Sequence, residues 1–350
     1  MQRREADVLV IGGGPAGLHA ALKAAILNHD VVLVDKGRRF SRVSQAAAVA
    51  NVPGRPGASG LDLLEQGRRD IRAFERAAGR RRVRLIEESE VTRLRLAGGR
   101  FEARVAGPQG ETIVLADVVV LATGMVDRKP GLRAFDARGH QTLAPFVRKE
   151  RVGYCLLCEG WRLRGREVAV VGESDEAIAV ARDVRDQYEG RPTLLTDGIR
   201  VDADVPVDPR PIARYDEADG RLLVRFQDGA TRGFDQAIFG LGVHRVNSDL
   251  AAMVGARLTR EGFVETDGNC EALAADGPGL VEGLYAIGDV RAHQWKQIVI
   301  AWGDAETAIL AAYAKRLPTR ADAAGYATPR ADAWEDAHAG HAPHGDAPSS

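Results

Sequence analysis

Apolar positions in this chain come in short, nearly unbroken runs that stop at glycine, and alanine- and leucine-rich stretches lie between them. Ala6-Asp-Val-Leu-Val-Ile11 is such a run ahead of Gly12, and it predicts a parallel strand buried on both faces. Leu18 to Asn28 reads as a helix, and Val31-Val-Leu-Val-Asp35 returns as a strand, completing a βαβ unit. Gly60 to Ala78 alternates as an amphipathic helix. Val83 to Ile86, Val91 to Leu96, Phe101 to Val105 and Thr112 to Leu115 predict short strands, and Asp117 to Gly124 a separate buried one. A second βαβ unit is predicted from strand Glu167 to Val171, helix Glu176 to Tyr188 and strand Pro192 to Thr196. Gln236 to Gly242 and Leu284 to Asp289 are two more buried strands, and Ile298 to Lys315 is a long helix. From Pro318 the chain is Ala, Asp, Gly, His and Pro with little apolar content, the composition of a disordered tail.

The pattern predicts an α/β protein of two Rossmann-like, three-layer dinucleotide-binding domains, the second inserted into the first. The first domain would hold residues 1–124 and 244–318, the insertion 125–243 and the tail 319–350. A length of 350 residues allows about two cores. A net charge of −1 leaves no field of one sign to attract nucleic acid or an anionic membrane. The Arg80-Arg81-Arg82 cluster reads as a solvated loop. Three cysteines make no disulfide framework, which fits a reducing compartment. No apolar run approaches the roughly 20 residues that span a bilayer, and a strand follows the first residues at once, so a cytoplasmic location without a signal peptide is expected.

Two motifs carry chemistry. Gly12-Gly-Gly14-Pro15-Ala16-Gly17 fits G-x-G-x-x-G between a strand and a helix, and Asp35 ends the next strand. Together these predict a dinucleotide site, with the pyrophosphate at a helix N-terminus and the acid on a ribose hydroxyl. Cys155-Leu-Leu-Cys158 stands just before the second βαβ unit. A C-x-x-C pair by itself reads as a metal ligand set, a redox pair or chance core cysteines. Zinc would need two further ligands at suitable spacing, and Cys270 is the only other thiol, so no metal is expected. Cys270 reads as a bystander, and His338, His341 and His344 as an incidental repeat in the tail. For a redox pair, a disulfide closed at a helix start has a thiol whose pKa the helix lowers.

The chain resembles the low-molecular-weight thioredoxin reductase family. The resemblance rests on Gly12-x-Gly14-Pro-Ala-Gly17, Asn51-Val-Pro-Gly54, Ala122-Thr-Gly124, Tyr154-Cys-x-x-Cys-Glu-Gly160, Glu167 to Gly172, Gly288-Asp289 and Lys296-Gln297, and it covers about residues 5–315. It implies a homodimer with FAD in the split domain and redox cysteines in the inserted one. Asp289 would hold the ribityl chain. Asp35, Lys36, Asn51, Val91, Gly124, Gly288, Lys296, Gln297 and Ile298 would lie on or near the cofactor. It also implies that Cys158 faces the flavin, that Cys155 exchanges with a thioredoxin-like protein or a small disulfide, and that Glu159 carries the proton in place of the family's usual aspartate.

The sequence departs from that family at the second nucleotide motif, Gly172-Glu-Ser-Asp-Glu-Ala177. Ser174 replaces the middle glycine, and Glu173, Asp175 and Glu176 put negative charge where a phosphate would sit. Asp197, where the family has a basic clamp, suits a ribose hydroxyl and repels a 2′-phosphate. NADPH is therefore disfavoured and the NAD(P)H donor is open. A ferredoxin-fed disulfide reductase, an oxygen-dependent dithiol oxidase of a small molecule, and a flavin redox sensor with negligible turnover are the alternatives.

Overall fold

The computed structural model describes residues 2–128 and 143–317. The segment 319–350, predicted to be disordered, and its three histidines lie outside the described residues. The chain divides into two compact units. The first holds 1–41, 63–124 and 247–350, and the second 42–62 and 125–246. The second unit thus takes in, besides the inserted stretch, a short earlier segment that carries Asn51.

In the first unit β1 (Gln2–Ile11) runs into α1 (Pro15–Ile26) and returns through β2 (Val31–Val34). Helix α2 (Gly60–Ala77) leads to β3 (Val83–Ile86), β4 (Glu90–Ala97), β5 (Arg100–Gly107) and β6 (Gly110–Leu121). The predicted strands at 112–115 and 117–124 are one strand. Ala116 pairs with Ala6 and Val118 with Val8 in one register, so β6 continues past the polar Asp117 along β1, while its ladder with β5 ends at Ala116. Val8, Leu9 and Val10 of β1 are fully buried, as a strand with neighbours on both edges and both faces requires.

The second unit begins with β7 (Met125–Asp127), α3 (Ala144–Arg148), β8 (Val152–Gly153), α4 (Leu156–Glu159), β9 (Glu167–Val171), α5 (Asp175–Asp186) and β10 (Arg191–Leu195). It continues through β11 (Val207–Asp208), β12 (Ile212–Ala218), β13 (Arg221–Phe226), β14 (Thr231–Phe234), β15 (Gln236–Phe239) and β16 (Val243–Val246). Its five-stranded parallel sheet has the order β11-β10-β9-β15-β8, beside the antiparallel β12-β13-β14 sheet and the β7-β16 ribbon. Leu163, Val168, Val170, Ala181 and Val184 form one apolar cluster, and Tyr215, Leu222, Val224, Phe234 and Phe239 belong to another.

The chain then returns to the first unit through α6 (Asp249–Met253), β17 (Glu271–Leu273), β18 (Leu280–Ala286) and α7 (Ile298–Lys315). The first unit's main sheet has the order β17-β18-β6-β1-β2-β3, with the β4-β5 hairpin joined to it through β6. Helices α1 and α7 pack together, each burying several alanines whose short side chains permit close approach. At the crossover, Thr123 and Asn247 are tied reciprocally: Thr123 Oγ1 donates to the Asn247 carbonyl (2.6 Å) and Asn247 Nδ2 to the Thr123 carbonyl (2.9 Å).

Candidate active site

The chemistry-bearing residues fall into two groups, one in each unit. In the first unit the turn after β1 brings the α1 N-terminus to the end of the strand. Gly12 has φ +110°, and a Cβ on Gly17 would stand 1.8 Å from the Gly12 carbonyl oxygen, so neither position tolerates a side chain. Gly14 precedes the helix, Pro15 opens it, no side chain caps it and its first turn holds no acid. The leading N–H groups and the positive end of the helix dipole are therefore left for an anion. Ala16 is buried.

Asp35 lies beneath this turn. Its Oδ1 accepts from Gly13 N (3.2 Å) and its Oδ2 from Arg68 Nη2 (2.9 Å). Arg68 is buried and also donates to Glu87 (3.0 Å) and to the Leu64 carbonyl (3.1 Å). Each Asp35 oxygen keeps a second lone pair for a ribose hydroxyl. Arg68 and Glu87 carried no sequence signal, because α2 only meets Asp35 in the folded unit.

Gly288 and Asp289 form a 3-10 turn after β18. Asp304 of α7 fixes that turn. Its Oδ2 accepts from Gly288 N (3.0 Å), its Oδ1 from Arg291 Nη1 (2.7 Å), and His293 Nε2 lies 3.3 Å away. Asp304 is buried, and although burial opposes ionisation, these donors hold its carboxyl below the usual range. It was missed in the sequence, where it reads as one of a few polar residues in a mostly apolar helix. Gln297 stands at the N-cap position of α7 without a side-chain capping bond, the first turn also lacks acids, and Ile298 is the first residue of the helix. Lys296 Nζ donates to the Arg291 carbonyl (2.6 Å) and stands 4.1 Å over the Phe263 ring. Lys36 pairs with Glu90, Val91 is buried in β4, and the Gly124 carbonyl accepts from Asn247 N (3.0 Å). These residues share the first unit, whereas Asn51 lies in the second.

An uncapped helix start, a glycine turn too tight for side chains and a buried acid beneath it fit the pyrophosphate and ribose of a dinucleotide such as FAD.

In the second unit Cys155 and Cys158 are joined as a disulfide. Cys155 is the N-cap of α4, and its carbonyl accepts from the N–H groups of Cys158 and Glu159 (both 3.1 Å). The helix expected at the cysteines is only four residues long, so its dipole is small. Leu157 and Trp161, next to the disulfide, are 57% and 62% exposed.

Glu159 is turned inward. Burial raises its carboxyl to about 7, against the lowering influence of Arg162 and of backbone N–H groups at Cys155 and Tyr154. Its Oε2 is buried without a hydrogen-bond partner. Gly153 makes the room: a Cβ there would stand 1.8 Å from Glu159 Oε2. A carboxyl that is half protonated near neutral pH can both take and give a proton.

The second βα turn differs from the first in a decisive respect. Ser174 is the N-cap of α5 and its Oγ accepts from Ala177 N (3.3 Å), and Asp175 and Glu176 occupy the first turn. The donors that α1 leaves open are thus answered at α5 by the chain itself. Asp197, after β10, has φ +49°, and its Oδ1 accepts from Ile212 N (2.6 Å). Its carboxylate closes a turn, so the ribose-binding role expected of it competes with a job in the fold.

Cys270 is buried, and burial pushes its thiol up to about 12, which leaves essentially no thiolate at neutral pH. Among the described residues no cluster of three or more His, Cys, Asp or Glu side chains is arranged to hold a metal ion, and no helix is long and apolar enough to cross a membrane.

The family model for pyridine nucleotide-disulphide oxidoreductases matches residues 6–305. The chain belongs to that family. It is accordingly a flavin-dependent disulfide oxidoreductase of the thioredoxin reductase-like kind. It is similar to a thioredoxin reductase of Listeria innocua, at 27% identity over 319 residues, 85% of this chain and 90% of the relative. It is also similar to a ferredoxin–NADP reductase of Gluconacetobacter diazotrophicus, at 28% identity over 334 residues, 87% of this chain and 89% of the relative. Among solved structures, thioredoxin reductase from Streptococcus pyogenes shares its fold with a TM-score of 0.72 at 23% identity, covering 89% of this chain and 97% of that one.

Proposed function

We propose that this protein passes electrons between FAD and a thioredoxin-like protein or a small disulfide through Cys155 and Cys158, and that NADPH bound at α5 is not the donor. The observation that carries the reading is the disulfide joined at α4, the helix that ends in Glu159 with its buried, unpartnered Oε2. FAD, when bound, supplies or accepts the electron pair that interconverts the dithiol and the disulfide.

The chain's own steps follow from thiol–disulfide chemistry. In the dithiol form Cys155, as thiolate, attacks one sulfur of the partner's disulfide, and the partner's other sulfur leaves and takes a proton. Cys158 then attacks Cys155 in the mixed disulfide, closing Cys155–Cys158 and releasing the partner's second thiol. Glu159 takes the proton of the attacking Cys158 and returns it when the pair is opened again. Exposed Leu157 and Trp161 offer the partner an apolar approach. A homodimer in the cytoplasm is part of this reading.

The capped and acidic start of α5 favours a second direction of the same chemistry, in which a small dithiol is the electron source and oxygen the acceptor. A ferredoxin feeding the flavin is the other route that avoids α5. Anaerobic stopped-flow reduction at the flavin band, with NADH, NADPH, reduced ferredoxin and small dithiols compared on one preparation, tests this. Slow, non-saturating reduction by NADPH is expected. Fast, saturable reduction by micromolar NADPH would overturn it.

A further inference from the structure

Two groups of opposite charge, Arg162 and Glu150, act on the Glu159 carboxyl, and those two groups are bonded to each other. Arg162 follows in the 3-10 turn Gly160–Arg162, and its Nη1 donates to Glu150 Oε1 at 2.7 Å. The Arg162 side chain is mostly buried, and its guanidinium lies 5.0 Å from the Trp161 ring centre, so its direction is fixed on that side too. Glu150 is also held. It has φ +57°, a left-handed backbone uncommon for a residue with a side chain, in the turn after α3. There its N–H donates to the Val147 carbonyl (2.9 Å), and its own carbonyl accepts from the buried Gln236 amide (2.7 Å). A residue kept in a strained conformation from two sides is a candidate for a purpose beyond the turn itself.

We propose that Glu150 is a positioning residue for the dithiol–disulfide exchange: by holding Arg162 it keeps that cation's charge from being spent on Glu159, so that Glu159 stays able to carry a proton at neutral pH. The inference rests on the reading of Glu159 as the proton carrier. The groups that bear on Glu159 come from both sides of it in the chain. Arg162 attracts its ionised form, Glu150 repels it, the N–H groups of Cys155 and Tyr154 stabilise it, and burial against Gly153 of β8 opposes it. The pair is therefore a balanced one. Removing Glu150 removes a repulsion and leaves Arg162 without its partner, and both changes favour the carboxylate. Removing Arg162 takes away an attraction and leaves the repulsion of Glu150, and both changes favour the protonated acid.

The two partners of one ion pair should therefore act in opposite directions, which a merely structural bridge would not do, because its loss is the same from either side. The test uses the full-length holoprotein, reduced anaerobically, with 5,5′-dithiobis(2-nitrobenzoate) as the disulfide and the exchange rate followed from pH 5 to 9. Glu150→Gln should move the pH at which exchange is half-maximal downward, and Arg162→Gln should move it upward, each by roughly half a unit to one unit, the size that a single nearby charge produces. Glu159→Gln should remove that limb of the profile. Shifts of the two variants in the same direction, or no shift in either while Glu159→Gln still removes the limb, would overturn the role of Glu150 and leave Glu159 as the carrier. A profile unchanged by Glu159→Gln would instead overturn the reading of Glu159. Thermal unfolding of each variant identifies a loss of fold, and Glu150→Asp, which keeps the charge, should leave the midpoint close to that of the parent.

Discussion

Replacing Glu159 by Gln should slow the protein and stabilise it at once. In an unfolded chain the carboxyl ionises around 4.5, and in the folded protein at about 7. Below both values the acid is neutral in either state and burial takes nothing from stability. Between them only the unfolded chain ionises, so stability falls as the pH rises, by about 1.4 kcal/mol for each pH unit. Above the folded value the loss is complete, about 3 kcal/mol in all. Gln has nearly the same shape and never ionises, so the loss should vanish in the variant. Thermal unfolding of parent and variant followed by far-ultraviolet circular dichroism at pH 5 and pH 8 reads the difference. At pH 5, just above the unfolded value, the gap should be small, about 1 kcal/mol or roughly 2–4 °C. At pH 8 the variant should melt higher by roughly 6–12 °C, at about 2–4 °C for each kcal/mol in a unit of this size. Exchange with a small disulfide should meanwhile slow by roughly 10²- to 10⁴-fold, the usual worth of a general acid or base. A gap equal at both pH values, or a parent more stable at pH 8, would refute the claim that burial holds this carboxyl up.

Other outcomes follow from particular residues. Gly14→Val should yield a folded protein that no longer retains FAD, measured as flavin released per chain on denaturation, because the side chain would enter the space left at the α1 N-terminus. Cys158→Ser should accumulate a mixed disulfide between Cys155 and an added disulfide substrate, visible as a mass increase, whereas Cys155→Ser should trap none; the reverse pattern would exchange the roles of the two sulfurs. Ser174→Ala should lower stability by about 1 kcal/mol through loss of the cap, and Ser174→Gly should not create rapid NADPH reduction, since Asp175 and Glu176 remain in the first turn of α5.

What the sequence disclosed about this fold is what local pattern controls. Buried parallel strands are apolar throughout, so β1, β2, β9 and β18 stand out as runs, and the glycine turn and the C-x-x-C pair are contiguous signals. The break placed between Leu115 and Asp117 came from one polar residue whose backbone continues in β6 all the same. The loss of glycine at Ser174 was legible, but its capping of α5 was not drawn from it, although a serine just before a helix is a signal for that. Partners far apart in the chain left no trace. Arg68 meets Asp35, Asp304 meets Gly288, Gln236 meets Glu150, and the segment 42–62 joins the second unit only because the folded chain brings them together. Nor could the length of α4, a single turn, be read from its residues.

The most direct measurement is the number of electrons the purified protein accepts. An anaerobic dithionite titration of the FAD-loaded protein, followed at the flavin band and by thiol count, reads it. If the Cys155–Cys158 disulfide and the flavin act as one redox system, the protein should take up about four electrons per chain, a pair for each centre, and Cys155→Ser or Cys158→Ser should take up about two. Uptake of about two electrons by the parent, with no new thiols formed, would contradict the account.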